Sequence, residues 1–254
     1  LATKTGSKMR VVIVGAGNMG LAMAKGLKSS GFSVTLASRA NPKLQSLSSE
    51  FEIEIIDNNY NIDGKNIILA IKPNALKWFA NIISGKANLI ISVLARTDLE
   101  QIQTLSSAAH AICLPNIAAK NRASINPYMA NAQTDNIEHI LNGFGKAVKF
   151  DSKAEFDAAS IISGCAPAYL ALVAEAISNA AVRSGLKAND AKAMTSGLFT
   201  SFATLINDTH PALIKDSICS PAGTTIEGVY ELEKAGVRSA FMQAVNSSLT
   251  KQRG

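Results

Sequence analysis

The sequence predicts an α/β protein: a doubly wound, mostly parallel sheet in residues 9–151, followed by an all-helical domain in residues 152–254. Three observations predict it. Between Met9 and about Phe150, short β-branched runs alternate with helical segments, which is the pattern of βαβ units. After Ser152 no run reads as a strand. Gly15-Ala16-Gly17-Asn18-Met19-Gly20 joins the first apolar run to the first helix, as a dinucleotide-binding turn does.

The elements follow in order. Val11-Val12-Ile13-Val14, Ser33 to Leu36, Ile53 to Ile56, Asn66 to Leu69 and Leu89 to Ser92 are the clearest strands. Several lack polar alternation, as parallel strands covered on both faces do. Helices are predicted from Met19 to Ser30 and from Asn74 to Ser84. Ala111 to Leu114 and Lys146 to Phe150 extend the sheet. In the second half, Tyr169, Leu172, Val173, Ala176, Ile177, Ala180 and Ala181 share one helical face. Leu170, Ala171 and Ala174 make that helix apolar nearly all round, so it should be buried on every side. A domain of about 100 residues buries such a helix fully only with difficulty unless a partner chain helps. A second helix is expected from Asn189 to Asn207, with Met194, Leu198, Phe202, Leu205 and Ile206 inward. A third runs through Val229 and Leu232, and a fourth from Val237 to the end.

Composition excludes several classes. The chain of 254 residues is 47% hydrophobic and 17% charged, enough for a sizeable core and unlike a disordered chain. No apolar run is expected to span a bilayer. The nearest approach, between Asp157 and Glu175, holds Ser160, Ser163, Gly164 and Pro167 and reads as a helix, a break and a second helix. Cys113, Cys165 and Cys219 form neither a disulfide framework nor a CxxC pair, and the three histidines show no metal-ligand spacing. No metal site is expected, and a reducing, cytoplasmic location fits. Leu1 to Lys8 are polar and precede Met9, and they read as a tail outside the fold. The net charge of +6 includes two lysines of that tail. No basic stripe with interleaved aromatics is visible, so neither nucleic acid nor membrane is expected as a partner.

In the glycine-rich turn, Gly15 allows the tight bend, Gly17 admits a pyrophosphate to the backbone, and Gly20 lets helix and strand pack closely. The helix start offers free N–H groups and partial positive charge to phosphates. The next strand decides which dinucleotide. An NAD-binding chain places Asp or Glu near its end, on the ribose 2′-OH. Here no Asp or Glu occurs from Met9 to Ser49, and the strand ends in Ser38-Arg39. A hydroxyl and a guanidinium suit a 2′-phosphate, so NADPH is preferred over NADH. Ile71-Lys72-Pro73 follows the fourth strand, whose carboxyl end faces the ligand crevice, and Pro115-Asn116 follows a later apolar run. Asn58, beyond Ile56, and Ala95, in the turn after Ser92, complete the cofactor candidates.

These residues resemble pyrroline-5-carboxylate reductase, over almost the whole chain after Met9. The resemblance rests on Gly15 to Gly20, Leu69-Ala70-Ile71-Lys72-Pro73, Pro115-Asn116, and Ser163-Gly164-Cys165-Ala166-Pro167-Ala168-Tyr169. The most specific stretch is Ser220-Pro221-Ala222-Gly223-Thr224-Thr225-Ile226, followed by Leu232-Glu233-Lys234 and Arg238. It implies NAD(P)H-dependent reduction of the cyclic imine to L-proline. It also implies an N-terminal Rossmann domain and a C-terminal helical dimerisation domain that interlocks with a second subunit. The stretch Ser220, Ala222, Gly223, Thr224 and Thr225 would bind the substrate carboxylate, with Thr225 on the ring nitrogen. Asp208 lies in a segment, Asp208-Thr209-His210-Pro211, that usually reads Glu-x-His-Pro, and it joins the substrate candidates.

Thr224-Thr225-Ile226-Glu227 also has the spacing of a capping box, so a helix should begin at Thr224. The chain departs from the family where Val93-Leu94-Ala95-Arg96 replaces a small glycine-bearing turn, where Ile117 to Lys120 replace Thr-Pro-Ala, and where Ala222 replaces a frequent Gly. Two alternatives differ in chemistry. A β-hydroxyacid dehydrogenase would carry a catalytic Lys early in the helix after the Rossmann domain, and no Lys occurs between Lys153 and Lys187. A non-catalytic NADPH-sensing protein would have no need of the Ser220 to Thr225 pocket.

Overall fold

The structure, a computed structural model, describes residues 8–132 and 135–253. The expected tail therefore lies outside the described residues, apart from Lys8. The chain forms two compact units, 1–164 with 252–254, and 165–251.

The first unit is an eight-stranded sheet. Its strands are β1 (Arg10–Val14), β2 (Ser33–Ser38), β3 (Glu52–Ile55), β5 (Asn66–Leu69), β7 (Ala87–Ser92), β8 (Ser107–Cys113), β9 (Ser124–Ala130) and β10 (Gly145–Lys149). A second small sheet pairs β4 (Tyr60–Asn61) with β6 (Ile83–Ser84). The order in the large sheet is β10-β9-β8-β7-β5-β1-β2-β3. Every pairing is parallel except β8 with β9. Helices α1 (Asn18–Ser29), α2 (Pro42–Ser46), α3 (Leu76–Ile82), α4 (Leu99–Ile102), α5 (Asp135–Asn142) and α6 (Lys153–Gly164) connect or follow the strands.

β1 shows why the strands lack polar alternation. Val11 and Ile13 belong to the core that holds Met23 and Leu27 of α1. Val12 and Val14 belong to a second core, with Phe79 of α3 and Ile102 of α4. Alternate residues point to opposite faces of a strand, and both faces are covered, so all four are apolar and buried. Strand β9 is not legible in the sequence because it contains Asn126 and Pro127, residues depleted in strands. Asn126 is buried all the same, and its side-chain amide donates to the carbonyl of Leu141 at 2.8 Å.

The sequence boundary near Asp151 marks the last strand, whereas the compact units separate after the next helix, α6. The reason is packing. Phe156, Ser160 and Ile161 of α6 are buried in the first unit, and the Ser163 hydroxyl donates to the carbonyl of Ile125 at 2.6 Å. Asp157 is buried as well. It accepts from Lys153, and Gln252 donates to it at 3.3 Å. Arg253 lies 3.6 Å away, which explains why the chain's last residues count with this unit. Burial alone would depress the Lys153 ammonium pKa, but Asp157 and Asp98 outweigh it and the value is raised.

The second unit contains α7 (Ala166–Arg183), α8 (Ala188–Asp208), α9 (Pro211–Ile218), α10 (Thr224–Lys234) and most of α11 (Val237–Arg253). The break expected after α6 falls at Cys165. None of the residues of α7, α10 or α11 is buried, and α8 buries only Ala191 and Thr195. Met194, Leu198, Phe202, Leu205 and Ile206, expected inward, are exposed, Met194 by 68%. Leu172 of α7 is likewise 68% exposed. The expected burial of these faces does not occur within one chain. The segment Lys153–Arg183 is also, against expectation, long and apolar enough to cross a membrane by length and composition, with a mean hydropathy of 1.6. Its interruption at Cys165 and the burial of α6 against β9 set it apart from one continuous span.

Candidate active site

The sheet order reverses between β5 and β1, since β2 and β3 continue on one side and β7 and β8 on the other. In open α/β sheets ligands bind outside the carboxyl ends of the strands at such a point. A groove of about 440 Å3 opens there. Gly15 and Gly17 after β1, Ser38 and Arg39 at the end of β2, and Ala70, Ile71 and Lys72 after β5 line it. Ala37, Ile56, Asn74, Ala75 and Trp78 line it too.

The turn is built as its glycines require. Gly15 has φ +116°, and a Cβ there would lie 2.5 Å from the carbonyl oxygen of Ala70. A Cβ on Gly20 would lie 2.0 Å from the carbonyl of Gly15, which is how helix and strand come close. Gly17 differs: a Cβ there would meet no protein atom within 4 Å. It is the N-cap of α1, with no side-chain cap and no acidic residue in the first turn. The smallness of Gly17 thus keeps open space in front of uncapped N–H groups, which fits a pyrophosphate. The Arg39 guanidinium lies over the indole of Trp78, 5.1 Å from its centre. With Lys72 also on the rim, the groove carries positive charge suited to an anionic dinucleotide.

Other cofactor candidates sit elsewhere. Ala16, Asn18, Met19 and Pro73 flank the groove residues in sequence, while Asn58 and Ala95 are exposed in the loops after β3 and β7. Pro115 is buried. Asn116 is used structurally: its side chain accepts from Ala118 N at 2.9 Å and donates to Ser163 O at 3.2 Å. Ala37, Ile56, Asn74, Ala75 and Trp78 line the groove without being singled out as site residues by sequence reasoning, and Trp78 is the one that meets Arg39. The available signal was a single tryptophan on the short helix after Lys72-Pro73.

In the second unit, Ser220 to Gly223 form a turn closed by Gly223 N donating to Ser220 O at 3.0 Å. Helix α10 begins at Thr224 as predicted, but the expected capping box does not form. The N-cap is Gly223, with extended backbone and no side-chain cap. The threonines therefore sit one position too far along the helix to cap it. The reason lies in the turn, where a Cβ on residue 223 would come 2.3 Å from Ser220 Oγ. The N–H groups of the first turn have no side-chain cap, an arrangement that suits an anion, and the side chains of Thr224 and Thr225 beside them are exposed. Ala222 has φ +54°, a left-handed conformation that favours Gly. Arg96, in the turn after β7, has φ +56°, likewise in the region that favours Gly. Asp208 ends α8 and is exposed. Among the described residues no side-chain hydrogen bond ties it to the Ser220 turn.

Comparison with known proteins bears on this geometry. The profile described as pyrroline-5-carboxylate reductase dimerisation matches residues 153–254, and that of NADP oxidoreductase, coenzyme F420-dependent, matches 10–96. A pyrroline-5-carboxylate reductase of Helicobacter pylori is 32% identical over 94% of this chain and 97% of its own. One of Arabidopsis thaliana is 29% identical over 96% and 94%. The chain belongs to the pyrroline-5-carboxylate reductase family. The crystal structure of 1-pyrroline-5-carboxylate reductase from Streptococcus pyogenes superposes with a TM-score of 0.81 at 25% identity, over 97% of this chain and 99% of that one. Family membership disfavours the β-hydroxyacid alternative. It also gives the exposed helices of the second unit a context, since the matching profile is that of a dimerisation region.

Proposed function

We propose that this chain reduces 1-pyrroline-5-carboxylate to L-proline with NADPH, working as a homodimer or a multiple of one. Full-length similarity to pyrroline-5-carboxylate reductases carries the reading, and the match to an NADP oxidoreductase profile supports the cofactor. The first unit holds the dinucleotide: the turn from Gly15 to Gly20 receives the pyrophosphate, and Ser38 and Arg39 receive the 2′-phosphate. Bound there, NADPH supplies the hydride for the imine carbon. The second unit holds the substrate: the N–H groups at the start of α10 bind the carboxylate, and Ser220, Ala222 and Gly223 shape the turn around it.

The Thr225 hydroxyl hydrogen-bonds the ring nitrogen, orients it and stabilises the amine product. An iminium is already electrophilic, so positioning is the main task left to the protein. No His/Asp dyad is required for it. Three free cysteines fit a reducing compartment, the cytoplasm. The test is NADPH oxidation with pyrroline-5-carboxylate, compared with NADH and with hydroxyacids in the reverse direction. NADPH turnover with the imine is expected. Tight NADPH binding without turnover would favour a sensing role instead.

A further inference from the structure

Trp78 is the chain's single tryptophan, and the proposed reaction gives it no task. It lies in the first turn of α3, half-buried. One side packs on the core that contains Phe79, with ring centroids 6.4 Å apart. Phe79 is fully buried and fixes which way α3 faces. The other side of Trp78 lines the dinucleotide groove beside Ser38, Arg39 and Lys72. The Arg39 guanidinium sits 5.1 Å from the indole centre, inside the range of about 6 Å for a cation–π contact, in which Trp is the best partner.

Arg39 itself is exposed, and among the described residues no carboxylate pairs with it. An Arg with no partner spreads over many rotamers and loses that freedom when it binds. A ring beneath the guanidinium restricts it beforehand. A guanidinium held against a ring rather than by a carboxylate keeps N–H donors for a phosphate. We propose that Trp78 is a positioning residue for coenzyme selection, its indole holding the Arg39 guanidinium where the 2′-phosphate of NADPH arrives. The inference rests on the NADPH reading of the groove.

Calorimetric titration of the full chain tests it without turnover. The probes are adenosine 2′,5′-bisphosphate, which carries the 2′-phosphate, and 5′-AMP, which lacks it. Wild type is expected to bind the bisphosphate more tightly, with a change in tryptophan emission that reports directly on Trp78. Trp78→Leu should narrow the affinity ratio by about 3-fold to 5-fold, because bisphosphate binding falls by more than 5′-AMP binding does. Trp78→Phe keeps a ring and should restore most of the ratio. A wild-type ratio in Trp78→Leu, or equal loss of both probes, would overturn the assignment to Trp78 alone. Equal binding of both probes by wild type would overturn the NADPH reading, and the role of Trp78 with it.

Discussion

In the first unit, β1 buries four consecutive residues, Val11 to Val14, between α1 on one face and α3 on the other. In the second, α7 is apolar nearly all round and buries none of its residues. Both segments have the composition of a protein interior. Only one of them has an interior supplied by its own chain. The contrast teaches that apolar composition fixes how much surface must be covered, while the chain's own topology decides whether the cover is intramolecular. Large contiguous apolar surface on a folded chain marks an interaction site, and residues 153–254 match a profile described as pyrroline-5-carboxylate reductase dimerisation.

The largest expected effect breaks that contrast. Leu172→Glu places a charge on the exposed face of α7. Losing a buried Leu costs about 1.5–3 kcal/mol per copy, and a symmetric interface contains it twice. Self-association should therefore weaken by about 3–6 kcal/mol, read from the concentration dependence of the elution volume. Val12 of β1 offers the counterpart: Val12→Ala should cost about 1–3 kcal/mol of stability at every protein concentration.

Next in size is Thr225→Ala, which tests the division of labour between the units. It should lose about 10-fold to 100-fold in turnover, the worth of a hydrogen bond of about 1.5–3 kcal/mol. NADPH affinity should stay unchanged, because the proposed cofactor groove is lined by the first unit alone, and Thr225→Ser should recover most of the rate. Arg39→Ala makes the reverse cut. It should weaken NADPH more than NADH, by about 1–3 kcal/mol, measured as the ratio of the two dissociation constants. Equal loss for both cofactors would remove Arg39 from the 2′-phosphate.

The first unit is legible in the sequence where local signals agree. β1, the glycine turn and α1 are announced by an apolar run, G-x-G-x-x-G and a helical period in succession. β9 is hidden because Asn126 and Pro127 read as loop, and only the neighbouring strands make them a strand. In the second unit the helices are legible, but the inward face of α8 is not. Periodicity tells which residues share a face and leaves open whether that face meets its own chain or another. At the candidate site, Ser38, Arg39 and Lys72 are readable from their places at strand ends. Trp78 is not, since its arrival beside Arg39 depends on the packing of α3.

Two smaller effects sharpen the comparison. Ala222→Gly relieves a left-handed alanine at φ +54°. The strain removed, about 1–2 kcal/mol, is partly offset by the added freedom of Gly in the unfolded chain. A gain of about 0.5–1 kcal/mol in the second unit is expected, read from its thermal unfolding. In the first unit, burial pushes the Glu54 carboxyl pKa up. Hydrogen bonds from Lys65 at 2.6 Å and from Tyr60 outweigh this, so the net value falls below the ordinary one. A folded value below the unfolded one contributes stability that is fully present above the unfolded pKa and is lost as pH falls through the folded one. Glu54→Gln should flatten that acid limb of the first unit's stability, measured by denaturant titration from neutral pH downward.

The claim that the second unit completes its core with another copy of the chain is tested most directly by sedimentation equilibrium of the wild-type protein at micromolar concentration. The predicted result is a mass that is a multiple of 26.7 kDa and at least twice it. A single species at 26.7 kDa would contradict it.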